Sequence, residues 1–177
     1  MASNNPGQKI NAFRRALEHA MSAELNAIRY LRLAEWSWAK GQVQPTGRFL
    51  LLAGVASCQA GWLQLGLACG AAVQRVLPQH ALRRFPDLAT ALRDPEFREL
   101  VHVVERQCSP ERAEFLLTSL SDPWAAPDPN TLREDDWLVR VARLAIDRSP
   151  THSRPGHMDD PLNDPASMRP HSADSED

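Results

Sequence analysis

Residues 49–73 read FLLLAGVASCQAGWLQLGLACGAAV, twenty-five positions without one charged side chain. About twenty apolar residues suffice to cross a bilayer as a helix, so a span is one solution. The other is a helix wrapped on all sides by its own chain. Three features favour the second. Gln59 and Gln64 sit near the middle of the run, on different sides of a continuous helix. The flanking charges are balanced, with Arg32, Lys40 and Arg48 before the run and Arg75, Arg83 and Arg84 after it. Nothing there would orient a span. Finally, the first and last helical stretches carry apolar stripes that need a partner in water, which this segment can supply.

The rest of the chain is helical in pattern. From 9 to 40 a seven-residue repeat runs through Ile10, Leu17, Glu24, Leu31 and Trp38, beside Phe13, Ala20, Ala27 and Ala34. Small alanines on that seam let a partner helix come close. Gly41 closes this helix and GQVQPTG turns the chain into a long second one that ends at Pro78. On the second helix, Gly54, Ser57, Gly61, Gln64, Ala68, Ala72 and Arg75 make a narrow stripe, mostly of small residues, suited to close packing.

Shorter helices follow. Asp87 heads a brief one, and Asp94-Pro95-Glu96 and Ser109-Pro110-Glu111 place a capping side chain before a proline at the first helical position. The last two are expected to form an antiparallel hairpin joined at 107–109. Thr131 and Glu134 have the capping-box spacing and launch a final helix to about 148, with Asp136–Arg140 and Arg143–Asp147 pairs on its polar side. Five prolines and an acidic end mark 149–177 as disordered, and 1–8 is polar and disordered as well. The expected fold is all-α: one bundle domain of five or six helices over 9–148. Its long first and second helices form an antiparallel hairpin, with shorter helices packed on it.

Charge narrows the partners. Twenty basic against twenty-two acidic residues leave a net charge of −2, and the two prospective helices between Arg75 and Glu114 lie in a region with as many acids as arginines. That is no footprint for nucleic acid, and none is expected as a partner. Three cysteines without a C-x-x-C spacing suggest small buried hydrophobes in a reducing compartment. Along one helix Cys58 and Cys69 would stand about 16 Å apart. MASNNPGQK has no apolar core of a secretory signal, so a cytoplasmic location is expected.

Candidate chemistry centres on Glu24 and Glu35, carboxylates on or near an apolar face, which must find a cation, a metal, a proton or a hydrogen bond. An arginine partner is the expectation for Glu24. Around ELNAIRYLRLA the first helix resembles that of ferritin-like bundles, which build di-metal sites from glutamates and Glu-x-x-His pairs. The one such pair here, Glu99 and His102, lies opposite the apolar arc of its helix, so neither a metal nor a cofactor is expected. His19 and His80 have no ligand partners nearby in sequence. No nucleophile elbow or phosphate loop is present, which weighs against an enzyme.

The second half of the first helix is apolar on two sides. Tyr30, Leu33 and Trp36 lie outside the arc of Leu31 and Trp38, and Trp124 stands in a proline-rich link. These four are the candidate interface residues of a soluble interaction or scaffold module, with a protein partner or a second copy as occupant. The alternatives are a small-ligand binder or enzyme around Glu24, or a membrane-associated protein anchored by 49–73.

Overall fold

The computed structural model describes residues 6–120 and 133–146, with side chains described at 18, at 20–120 and at 133–144. The expectations for residues 1–5 and 149–177, for Trp124, for Thr131 and for the His19 side chain fall outside these residues; at 6–8, expected to be disordered, the chain is already helical.

Helix α1 (Pro6–Ala39) ends where Gly41 takes a φ of 69°. Its N–H donates to Trp38 O at 2.9 Å and Gln42 N–H donates to Ser37 O at 2.9 Å, the reciprocal pair that closes a helix on a left-handed residue. Helix α2 (Val43–Ala60) then packs along α1. The same closure recurs where the sequence pattern suggested continuity. Gly61 adopts φ 86°, its N–H donates to Cys58 O at 3.3 Å, and Trp62 N–H donates to Ser57 O at 2.8 Å. The long second helix is therefore two: α2 and α3 (Leu63–Val76), packed on each other. Among the described residues no helix is long and apolar enough to cross a bilayer.

Small residues make the α2–α3 contact tight. A methyl group on Gly66 would come within 2.6 Å of Cys58 Sγ and 3.3 Å of Gly54 O. One on Gly54 would meet Cys69 Cβ at 3.0 Å. The small residues expected to receive a separate helix thus let the two halves of one run fold together. Residues 50–57 are buried without a break, and what little exposure remains there falls mainly on Leu52, Val55 and Ala56.

A 3-10 turn (Ala81–Arg84) and a four-residue helix, α4 (Leu88–Ala91), lead to α5 (Pro95–Gln107) and α6 (Pro110–Thr118). The caps form as the sequence indicates. Asp87 accepts from Thr90 N–H at 2.6 Å, Asp94 from Phe97 N–H at 2.8 Å, and Ser109 from Arg112 N–H at 3.4 Å. The expected α5–α6 hairpin does not organise this region: α5 packs on α2 and α6 on α1. Short amphipathic helices gain more from the large core helices than from each other.

Helix α7 (Glu134–Ile146) lies against α3 and α1, burying Trp137, Val141 and Leu144. Its Glu134 accepts the Leu65 N–H at 3.2 Å. That carboxylate serves the start of α3, whose Trp62 position has no side-chain cap of its own. Arg140 likewise reaches Glu35 at 2.9 Å instead of pairing along its own helix with Asp136, and its guanidinium sits 4.7 Å from the Trp137 ring centre. Among the described residues the fold is an all-α bundle, with six helices of nine residues or more and no strand.

Candidate functional site

Helices α1, α2 and α5 and the start of α6 converge on a groove of about 640 Å³. Tyr30 of α1 and Leu52, Val55 and Ala56 of α2 form its apolar floor; Asn26, Gln59, Glu99, His102, Glu105 and Arg106 form its rim. Heptad spacing turns Asn26 and Tyr30 to one side of α1, while Gln59 stands exposed in the last turn of α2. The break at Gly61 frees Gln59 and Gln64 to reach solvent separately, which a single buried cylinder would not allow.

Tyr30 anchors the base. It is 4% exposed, and its hydroxyl donates to Cys108 O at 2.9 Å, at the end of α5. Burial drives the phenol pKa far up, so it stays a neutral donor. Next to it Arg29 holds Glu114 at 2.7 Å, pinning α6 to α1. On the rim His102 Nδ1 lies 3.0 Å from Glu105 Oε2, and Arg106 lies 3.9 Å from Glu99. Both pairs are solvent-exposed neighbours on α5 and contribute little to stability. Apart from His102, the rim sets two carboxylates, Glu99 and Glu105, against the one guanidinium of Arg106.

The residues proposed from sequence separate in space. Leu33 is 2% exposed and Tyr30 nearly as covered, so these two side chains are packed into the chain's own core rather than presented on an open face. Trp36 is half-buried. Glu35 is the carboxylate with cations around it, Arg140 at 2.9 Å and Arg32 at 3.5 Å. Desolvation nonetheless raises its pKa above the usual 4.5, outweighing both arginines. Glu24 is half-buried and has no ion-pair partner among the described residues, so its expected arginine is absent there. No group of three metal-ligating side chains occurs among the described residues.

Sequence reasoning missed Asn26, Gln59 and Glu105. The signal was partial: Gln59 is one of two amides in an otherwise apolar run, and a polar group there must face water or a partner. No family model, curated protein or solved structure matches this chain.

Proposed function

We propose that this chain is a helical binding module whose α1–α2–α5 groove receives a segment of a partner protein, one carrying a large apolar side chain beside a lysine or arginine. The carrying observation is the groove itself, an apolar floor ringed by amides and ions. Protein interfaces share that anatomy, a dehydrated apolar centre inside a polar rim. The rim's surplus carboxylate favours a basic neighbour to the anchor. Tyr30, one of the residues first suspected on sequence grounds, acts here from below, as floor. A second copy of the chain could supply the segment as well as another protein.

Short peptides pairing Leu, Phe or Trp with an adjacent Lys or Arg, selected against the full chain, provide the test. Binding should move the amide resonances of Ala56, Gln59 and His102. Gln59→Trp, which fills the groove from an exposed position, should weaken binding at least tenfold while leaving the melting curve unchanged. Peptides that bind the variant equally well, or perturb only distant amides, would reject the groove as the docking site.

A further inference from the structure

A second, smaller chamber of about 190 Å³ opens between the start of α2, the end of α5 and α6. Phe49, Leu52, Val104 and Leu116 wall it, and Arg48 and Arg112 are the charged side chains that line it. Among the described residues no acid joins that lining, and neither guanidinium has an ion-pair partner. The two acids of α6 are engaged elsewhere: Glu114 holds Arg29 at 2.7 Å, and Glu111 bonds the Ser109 hydroxyl. Pro45 in the first turn of α2 also lines the chamber, as do Gln107 and Cys108 at the end of α5, so the two guanidinium groups and not the helix ends supply its positive charge.

We infer that this chamber binds a small carboxylate with an apolar body, the carboxylate held between Arg48 and Arg112 and the hydrocarbon against Phe49 and Leu116. The volume is that of about six waters, which limits the guest to a short chain or a single ring. Arginine suits the headgroup because its planar fork matches a carboxylate edge to edge. The site is separate from the peptide groove and shares only Leu52 with it.

Calorimetric and NMR titration of the full chain with octanoate tests this, against 1-octanol, which has the tail without the charge, and inorganic phosphate, which has charge without a tail. Octanoate should bind saturably at about 0.1–1 mM, as guests of this size do. Either Arg48→Gln or Arg112→Gln should weaken it about tenfold, and raising salt should weaken it in the wild type. Both arginines are exposed, so both variants should melt as the wild type does. Octanol binding as tightly as octanoate, phosphate binding as tightly, an affinity indifferent to salt and to both variants, or no saturation would each overturn the inference.

Discussion

Two titratable side chains set opposite pH behaviour. Glu35 is 13% exposed and its pKa lies above 4.5 because burial costs its charged form more than Arg140 and Arg32 return. An acid of that kind favours the fold below pH 4.5 and loses that advantage as the pH rises through its raised pKa. Glu35→Gln should therefore abolish this decline and leave stability at pH 7 within about 1 kcal/mol of the wild type, or above it. Urea unfolding across pH 4–8 measures both. His80 runs the other way. Its Nδ1 accepts the Leu82 N–H at 3.1 Å and the ring packs edge-on against Phe97, so protonation breaks a cap and charges a half-buried ring. Burial holds its pKa below 6.5. Stability is then full above 6.5 and is lost as the pH falls from 6.5 through the lowered value. His80→Asn keeps an acceptor at that cap. It should lose less stability between pH 7 and 5 than the wild type, and a parallel loss in the two proteins would count against the assignment.

At the level of elements, the fold turns on the closure at Gly61. Alanine there must hold a left-handed conformation and should cost about 1–2 kcal/mol. Gly66→Ala fails for a different reason, collision with Cys58 Sγ, and should cost about 1–3 kcal/mol. Only the second is relieved by making room, so Cys58→Ala should be less harmful in the Gly66→Ala background than in the wild type. A double-mutant cycle by chemical denaturation separates the two causes. The cysteines illustrate the same geometry. Expected far apart along one helix, Cys58 and Cys69 both lie in the α2–α3 contact, where burial drives their pKa values up and keeps them neutral thiols.

Across the whole molecule, α7 closes the bundle from the far end of the described chain. Trp137 is fully buried, Glu134 serves the start of α3, and Arg140 satisfies Glu35 on α1. Trp137→Ala should cost about 3–5 kcal/mol. A chain ending at residue 120 loses all three contacts at once. It should melt at lower temperature and bind a hydrophobic dye where α7 had lain. An unchanged melting curve for that shorter chain would show that α7 is not part of the cooperative unit.

Periodicity, caps and breakers were legible without coordinates, because each acts within a turn or two of the residue that carries it. The all-α class, the extents of α5 and α6 and the side chains of Asp87, Asp94 and Ser109 as caps all follow from such local chemistry. The groove was only half legible, through Gln59, Tyr30 and the polar face of α5 that carries Glu99 and His102, since nothing local to each helix says that these faces meet. What needed the tertiary structure was every choice between partners that local energy leaves nearly equal. Gly61 reads as one more small residue in a stripe until α3 folds back and makes it a terminator. Arg140 had a nearby partner in Asp136 on its own helix and took Glu35 on α1 instead, because surface pairs along a helix are worth only tenths of a kcal/mol and packing decides.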